Sequence, residues 1–161
     1  MSIFYKSIRI GKKEVPFMIY KFRTMRDELG PISTAADDPR ITKIGRFLRR
    51  TKLDELPQLY NVIRGEMALV GPRPEVPGVV ALMTHREKDI IFSVKPGCVD
   101  LATLQNLHEE ESLRGQVDPH GFYLKEIWPR KKELQIEYVK NKSFKGDLKI
   151  IFQTLCQIIK P

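Results

Sequence analysis

The chain has 161 residues, of which 42% are hydrophobic and 30% are charged, and its formal net charge is +8 at pH 7. This composition excludes a disordered chain, and the length predicts one domain, residues 1–161, that buries roughly 70% of its unfolded surface. No apolar run approaches the ~18–20 residues that span a bilayer, and the positive charge is compatible with nucleic acid, an anionic membrane surface or an anionic small substrate.

Two strands are predicted at the start of the chain. Residues 3–10 and 15–22 are rich in β-branched and aromatic residues and surround a turn at residues 11–14. Lys21 and Arg23 alternate at the end of the second strand, so both side chains should project from one face. For Lys21 this leaves two interpretations open, a solvated edge strand or a ligand-binding position.

A loop and a basic helix are predicted next. Residues 26–39 are polar and contain Gly30-Pro31 and Asp38-Pro39, which is typical of a mobile loop. The residues after this loop have apolar positions at the spacing of one helix face, and basic residues stand between them. The apolar positions are Ile41, Ile44, Phe47 and Leu48, and the basic ones are Lys43, Arg46, Arg49, Arg50 and Lys52.

An acid pair, Asp54 and Glu55, interrupts the basic run. Because Pro57 inside a continuous helix would cost ~3 kcal/mol, a new helix is predicted to begin near Leu53 or Asp54 and to end at Gly65. The N-terminus of that helix would favour an anion, so its N–H groups could hold a phosphate beside Asp54. The alternative is that Asp54 simply caps the helix.

Arg73 stands between two prolines in the sequence Gly71-Pro72-Arg73-Pro74. The fixed φ angles of Pro72 and Pro74 stiffen this loop and hold the arginine between them. Arginines around an acid pair are what a site for an anionic, metal-bound substrate would need.

The second half of the chain is predicted to be mostly helical. One helix opens at Asp118 with Pro119 at its first position, is interrupted at Pro129 and then resumes. Asp147 is predicted to cap the last helix, whose apolar stripe is predicted to be core, with burial against a membrane or another segment as the alternative. That stripe consists of Leu148, Ile151, Phe152, Leu155, Ile158 and Ile159. The whole chain is therefore expected to be α+β, a small N-terminal β-hairpin packed on a mostly helical body.

Three motifs in this order resemble the bacterial sugar transferases, which are monotopic phosphoglycosyl transferases. They are KFRTM at residues 21–25, LDELPQ at residues 53–58 and NVIRGEMALVGPRP at residues 61–74. The resemblance is dense from residue 4 to residue 77 and thinner from residue 95 onward. Many members have Thr-Gly and then Gly-Arg after the Pro-Gly turn, whereas this chain continues from Gly97 with CVDLATL.

The resemblance implies transfer of a phosphosugar from a UDP-sugar to a polyprenyl phosphate with release of UMP, the reaction that initiates glycoconjugate or polysaccharide synthesis. It implies Mg²⁺ on the diphosphate, with Glu55 and Asp54 as ligands. Asp54 is expected to be the nucleophile that forms a covalent phosphosugar and Glu55 to orient it, and the reverse assignment is the alternative. The residues expected to bind substrate are Lys21, Arg49, Pro72, Arg73 and Pro74. Arg46 and Arg50 are interpreted as a solvated face.

The family also implies a location. Its members carry an N-terminal hydrophobic segment that enters one leaflet, just before the region where this sequence begins. The expected site of action is therefore the cytoplasmic face of the bacterial inner membrane, and this chain alone is expected to be soluble.

Two other classes of function remain as alternatives. A nucleic-acid-binding module is disfavoured, and no nucleic acid partner is expected, because the aromatic residues do not interleave with the basic run and no known fingerprint is present. A basic peripheral membrane or scaffold domain without catalysis is the other alternative. Thermal protection by Mg²⁺ with a UDP-sugar, but not by DNA or vesicles, would separate the three.

Overall fold

The computed structural model of the protein describes residues 2–105 and 109–159. Its strands are β1 (Phe4–Ile10), β2 (Pro16–Phe22), β3 (Ala68–Val70) and β4 (Gly97–Val99). Its helices are α1 (Lys43–Arg50), α2 (Gln58–Ile63), α3 (Pro77–Val80), α4 (His85–Ile91), α5 (Leu101–Gln105), α6 (Glu109–Ser112), α7 (Pro119–Phe122), α8 (Trp128–Lys140) and α9 (Phe144–Ile159). A hairpin beside a mostly helical body confirms the predicted α+β fold.

The N-terminal hairpin agrees with the predicted strands to within one residue. β1 pairs with β2 in antiparallel fashion, with Phe4 opposite Phe22 and Ile10 opposite Pro16. Backbone hydrogen bonds fasten it to the helical body. The N–H of Ile10 donates to the carbonyl of Glu75 at 3.0 Å, and that of Lys13 donates to the carbonyl of Phe92 at 2.8 Å.

A second, parallel pair of strands brings two distant parts of the chain together. Ala68 of β3 lies beside Gly97 of β4, and the two backbones approach so closely that a Cβ at Gly71 would lie 2.6 Å from the carbonyl oxygen of Lys95. Glycine is needed here because no larger residue allows this approach. Since parallel strands end at the same edge, the residues that follow them, Arg73 and Asp100, lie near one another.

Apolar side chains form two clusters in the described part of the chain. The larger cluster joins β1, α3, α4, α6 and the segment from α7 to α8, and the smaller one joins β3, α8 and α9. The buried members at their centres are Val79, Ile91, Leu113 and Trp128 in the larger cluster and Val70, Tyr138 and Ile150 in the smaller one.

The helical segment from α7 to α8 is interrupted where the sequence predicts. Asp118 caps α7 by accepting a hydrogen bond from the N–H of Gly121 at 3.0 Å, and Pro119 occupies the first turn. A π-helical turn, Tyr123–Ile127, then leads into α8. Pro129 explains the wider turn, because it lacks an N–H and its ring clashes with the carbonyl four residues earlier.

Two predictions for the last helix are wrong. α9 begins at Phe144, so Asp147 lies inside its first turn and accepts a hydrogen bond from the Tyr138 hydroxyl at 2.8 Å, while Ser143 caps the helix. The predicted core stripe is largely exposed, because the helix packs through a narrow edge at Ile150 and Ile151. Its exposed members are Leu148, Phe152 and Leu155, and the side chains of Ile158 and Ile159 lie outside the described residues.

Within residues 2–105 and 109–159, no helix combines the length and the apolar composition needed to cross a bilayer.

Candidate active site

The helix α1 carries Arg49 and is seated directly on the end of β2. Thr42 caps it by accepting a hydrogen bond from the N–H of Gly45 at 2.9 Å, and the N–H of Thr42 donates to the carbonyl of Thr24 at 3.0 Å. A Cβ at Gly45 would overlap that carbonyl, so only glycine allows this contact. Arg49 then donates through Nε to the Thr24 hydroxyl at 3.0 Å, and its guanidinium pairs with Glu110 at 2.9 Å.

A sharp turn separates α1 from the acid pair. Lys52 has φ 56° and ψ 13°, a left-handed conformation that is uncommon for a residue with a side chain. A single 3-10 turn, Leu53–Glu55, follows it, and α2 begins only at Gln58 with Pro57 as its N-cap residue. The predicted break before Pro57 is confirmed, but the predicted start of the helix near Leu53 or Asp54 is about four residues too early, because a separate 3-10 turn occupies that position. The alternative role of Asp54 as a cap is also wrong, because its side chain caps neither element.

Glu55 is held by two cations from different parts of the chain. Its Oε1 accepts hydrogen bonds from Lys21 Nζ at 2.6 Å and from an Arg73 terminal nitrogen at 2.8 Å. Burial opposes the ionisation of Glu55, but the charges of Arg73 and Lys21 outweigh burial and hold the pKa of this carboxyl well below its usual range. Glu55 is therefore ionised at neutral pH and orients both cations.

Asp54 has the opposite environment. Its side chain is only 8% exposed, and its Oδ1 has no hydrogen-bond partner among the described residues. Burial and the neighbouring charge of Glu55 raise the pKa of Asp54, while Lys21, Lys52 and Arg49 act in the other direction. The two adjacent carboxyls thus differ in role, one tightly paired and one with a buried, unpaired oxygen.

The helix α2 is tied to the hairpin by Asn61, which is fully buried. Its amide nitrogen donates to the Met18 carbonyl at 2.7 Å and to Glu66 at 2.8 Å, and its oxygen accepts from the Tyr20 N–H at 3.4 Å. This anchor fixes the distance between β2, which carries Lys21, and the turn that carries the acid pair.

The loop with the two prolines presents Arg73 from the other side of the site. Pro72 and Pro74 are both buried, and the Pro72 carbonyl accepts a hydrogen bond from the Gly97 N–H at 3.0 Å. Arg73 extends from this support to Glu55 and lies 3.8 Å from the buried carboxylate of Asp100. The charge of Glu55 is the main cause that raises the pKa of Arg73.

The structure therefore brings together most of the residues that the sequence predicts. Lys21, Glu55 and Arg73 are in direct contact, and Asp54 and Arg49 lie beside them. Pro72 and Pro74 frame Arg73, and a role for either proline in substrate binding stays a prediction. Arg23, which alternates with Lys21 in the sequence, donates a hydrogen bond to the carbonyl of Ser2 and pairs with Asp27 rather than with the acid pair. Arg46 and Arg50 are exposed, as predicted.

Three residues of the site were missed in the sequence analysis. Arg9 and Gln58 line a small cavity of about 10 Å³, together with Lys21, Arg73 and Pro74, and this is roughly the space of one water molecule. Gln58 is 2% exposed, and neither its Nε2 nor the Arg9 Nε has a partner among the described residues. Asp100 is the third missed residue. It directly follows β4, just as the loop with Arg73 follows β3, and this position after a strand was the signal in the sequence that could have found it.

The acid pair could hold a divalent cation together with a substrate. The described residues contain no group of three or more His, Cys, Asp or Glu side chains that could bind a metal. Mg²⁺ needs about six oxygen ligands and is commonly held by one or two carboxylates plus substrate phosphates. Asp54, with its free buried oxygen, and Glu55 fit that pattern.

A larger cavity of about 210 Å³ adjoins this site through Arg73. Its walls come from the loop at residues 32–34, from α1, α6 and α7, and from the π-helical turn. Five of its lining residues are buried, the apolar Val79 and Leu113 and the polar or charged Glu75, Tyr123 and Lys131.

Comparisons with known proteins agree with the three motifs. A family model described as "Bacterial sugar transferase" matches residues 1–161. The "Uncharacterized sugar transferase EpsL" of Bacillus subtilis is 37% identical over 98% of this chain and 70% of its own length. The "Undecaprenyl-phosphate glucose phosphotransferase" of Komagataeibacter xylinus is 36% identical over 86% of this chain and 26% of its own length. The "UDP-glucose:undecaprenyl-phosphate glucose-1-phosphate transferase" of Escherichia coli is 35% identical over 95% of this chain and 32% of its own length.

The chain thus spans most of one curated relative and about a third or less of the other two. The family model matches this chain over the whole of its 161 residues. The chain belongs to the bacterial sugar transferase family.

Proposed function

We propose that this chain transfers a phosphosugar from a UDP-sugar to a polyprenyl phosphate and releases UMP, with a covalent phosphosugar on Asp54 as the intermediate. The observation that carries the proposal is the contrast between the two carboxyls. Glu55 is paired with Lys21 and Arg73, whereas the Oδ1 of Asp54 is buried without a partner among the described residues. A carboxylate oxygen that is held in place but not hydrogen-bonded is free to attack.

The first step forms a bond between the Asp54 carboxylate oxygen and the phosphorus that carries the sugar. The bond from that phosphorus to the bridging oxygen breaks, and the electron pair leaves with UMP. In the second step an oxygen of the polyprenyl phosphate attacks the same phosphorus. Asp54 then leaves as a free carboxylate, and the product is a polyprenyl diphosphate sugar.

Positive charge must accompany the attack, because a carboxylate approaches an anionic diphosphate. One such pair of charges at ~4 Å repels by about 4 kcal/mol at an effective dielectric constant of 20. Lys21 and Arg73 are fixed by Glu55, and Arg49 is fixed by Thr24. Arginine can offer two parallel N–H groups to phosphate oxygens, which suits Arg49 and Arg73 to this role.

The unpaired donors Arg9 and Gln58 support a phosphate position beside the acid pair. Both line the small cavity next to Lys21 and Arg73, and each has a buried nitrogen without an acceptor among the described residues. Buried donors usually find an acceptor. The cavity has room for about one water molecule, so it could admit a single phosphate oxygen, with the rest of the phosphate lying outside it.

Mg²⁺ is the cation that we propose for the diphosphate, with Glu55 and Asp54 as its protein ligands. When bound, it would neutralise charge on the diphosphate. The contribution of the chain itself is to keep Glu55 ionised and to keep Lys21 and Arg73 directed toward the acid pair.

We also propose that the chain acts at the cytoplasmic face of the inner membrane, where a polyprenyl phosphate presents its head group. The two helices on either side of the acid pair in the sequence expose large apolar side chains, among them Ile44 and Phe47 on α1 and Leu59 and Ile63 on α2. The exposed cations Arg46 and Arg50 also lie on α1, and basic residues near an anionic leaflet contribute about 1 kcal/mol each.

The mechanism can be tested by intact mass spectrometry after incubation with a UDP-sugar and Mg²⁺ and an acid quench. We expect a mass increase of one phosphosugar, located on the peptide that contains Asp54, and release of UMP without any acceptor. Asp54→Asn should abolish both while UDP-sugar binding persists. Asp89→Asn, at an exposed position on α4, is the matched control and should behave as wild type.

Kinetics with a polyprenyl phosphate should be ping-pong, because UMP leaves before the acceptor reacts. Ternary-complex kinetics with no trapped adduct would refute the covalent step. Asp54 would then be a base or metal ligand in a direct transfer.

A further inference from the structure

The cavity of about 210 Å³ beside the acid pair has no role in the mechanism above. It shares Arg73 with the acid pair, since Arg73 both lines the cavity and donates to Glu55 at 2.8 Å. The cavity is therefore the space next to the acid pair on the side of Arg73, and a group attached to a phosphate at Asp54 could occupy it. In a nucleotide diphosphate sugar that group is either the sugar or the nucleoside.

The charged residues in the wall of the cavity are mostly paired with one another. Arg49 pairs with Glu110 at 2.9 Å, and Lys131 pairs with Glu109 at 2.9 Å. Glu75 accepts a hydrogen bond from the buried Gln135 at 3.2 Å. Because these charges largely cancel, the wall does not favour a strongly charged ligand. It offers hydrogen-bond donors and acceptors at short range, which suits a neutral group rich in hydroxyls.

The aromatic residues of the wall are poorly placed to receive a nucleobase. Tyr123 is only 6% exposed, and its ring is contacted by the Lys131 ammonium at 5.1 Å and by the parallel His120 ring at 6.5 Å. A base that stacks gains roughly 1–3 kcal/mol from an open aromatic face, and Tyr123 does not offer one. The polar walls equally disfavour a polyprenyl chain.

We infer that this cavity holds the sugar of the donor and that Ser33 and His120 contact its hydroxyl groups and select among sugars. This inference rests on the proposed function. The Ser33 hydroxyl lies 2.9 Å from His120 Nδ1, so the pair joins the loop at residues 32–34 to α7 across the cavity wall. Both side chains are half-buried, and a sugar hydroxyl can replace the contact that each makes with the other.

The test compares wild type with Ser33→Ala and His120→Ala on four donors: UDP-glucose, UDP-galactose, UDP-N-acetylglucosamine and UDP-N-acetylgalactosamine. The readouts are UMP release without acceptor and the Kd of each donor and of UDP, all with Mg²⁺. Without acceptor each chain releases a single UMP, so the quantity compared is the second-order rate constant of that first turnover. We expect its ratio between the preferred donor and the epimer of that donor to fall by roughly 3–10-fold, the scale of one lost hydrogen bond. The Kd of UDP, which lacks the transferred sugar, should stay within about two-fold of the wild-type value.

Controls separate a specific effect from damage to the fold. Ser93→Ala and His85→Ala, both at exposed positions on or next to α4, should leave every ratio unchanged. His120→Gln keeps hydrogen-bonding capacity and should restore part of the selectivity. An equal loss of affinity for all donors and for UDP would overturn the inference. Unchanged ratios between donors in both variants would overturn it as well.

The two proposals fail in different ways. If wild type releases no UMP from any donor without acceptor, the proposed covalent step is wrong, and the Kd ratios among donors still decide the role of the cavity. If wild type releases UMP and both variants discriminate among the donor sugars to the same extent as wild type, the proposed reaction is supported and the donor sugar binds outside this cavity.

Discussion

Replacing Glu55 with glutamine tests whether this carboxylate organises the site. The change keeps the size of the side chain and one carbonyl oxygen but removes the negative charge. Lys21 and Arg73, which lie 2.6 and 2.8 Å from Glu55 Oε1, would each lose an ionised acceptor. Two partly buried cations would then lose the counter-ion that they share, although Asp100 would still lie 3.8 Å from Arg73.

The magnitude follows from the two contacts. A hydrogen bond to a charged group contributes about 1.5–3 kcal/mol. The glutamine carbonyl oxygen can still accept a hydrogen bond from these cations, but this bond is weaker because the acceptor is uncharged. We expect Glu55→Gln to lower the free energy of unfolding by about 2–3 kcal/mol at pH 7. In a chain of this size that corresponds to a fall in Tm of about 4–12 °C.

The pH dependence has a definite sign. Because the folded-state pKa of Glu55 is lowered, its stabilisation is complete above the unfolded value of about 4.3 and is lost as the pH falls through the folded-state pKa. The difference between wild type and variant should therefore be full at pH 7 and should shrink below about pH 4. Urea unfolding at a series of pH values measures it.

The matched control is Glu133→Gln, since Glu133 pairs with Arg130 at 3.4 Å on the surface of α8. An exposed pair of this kind contributes about 0–1 kcal/mol, so the control should stay close to wild type. A Glu55→Gln variant within 0.5 kcal/mol of wild type at pH 7, or a difference that does not shrink in acid, would refute the role assigned to Glu55.

Three further predictions concern neighbouring residues. Asp54→Asn should raise Tm at pH 7. Burial raises the pKa of Asp54, so its ionised form destabilises the fold above that pKa, and asparagine removes this charge. An unchanged or lower Tm would contradict this. Arg73→Lys should lower kcat/KM for UMP release by about 10-fold, or ~1.4 kcal/mol, because lysine cannot offer a two-pronged contact; unaltered kinetics would leave Arg73 a structural role only. Gly45→Ala should destabilise the fold by about 1–3 kcal/mol in urea unfolding, since its Cβ would overlap the Thr24 carbonyl, whereas Gly78→Ala, with open space around it, should not.

Local patterns in the sequence were sufficient for several features. The hairpin was predicted to within one residue because β-branched strands and a glycine turn are local signals. The break before Pro57 and the start of α7 at Pro119 were predicted because proline restricts its own backbone wherever it stands. The three motifs likewise named the acid pair, Lys21 and Arg73, and the family resemblance added Arg49, before any contact among them was known.

Burial could not be predicted in the same way. The apolar stripe of α9 has helical periodicity, but periodicity does not tell whether a second layer covers that face. The structure leaves Leu148, Phe152 and Leu155 exposed, because the apolar contacts of the described part of this helix with the body of the protein lie along the edge at Ile150 and Ile151. Asp147 was mistaken for a cap for a related reason, since its partner, the Tyr138 hydroxyl, lies on another helix.

The residue types of the site were evident from the sequence, while their division of labour was decided by tertiary structure. Asp54 and Glu55 are adjacent and chemically alike, so no local pattern distinguishes them. Glu55 is ionised and paired because β2 brings Lys21 and the loop after β3 brings Arg73 to within hydrogen-bond distance. The buried Oδ1 of Asp54 has no such partner in the described part of the chain. The pKa values of the two carboxyls therefore move in opposite directions, because the energy of an ion depends on the charges and solvent around it, which only the folded chain supplies.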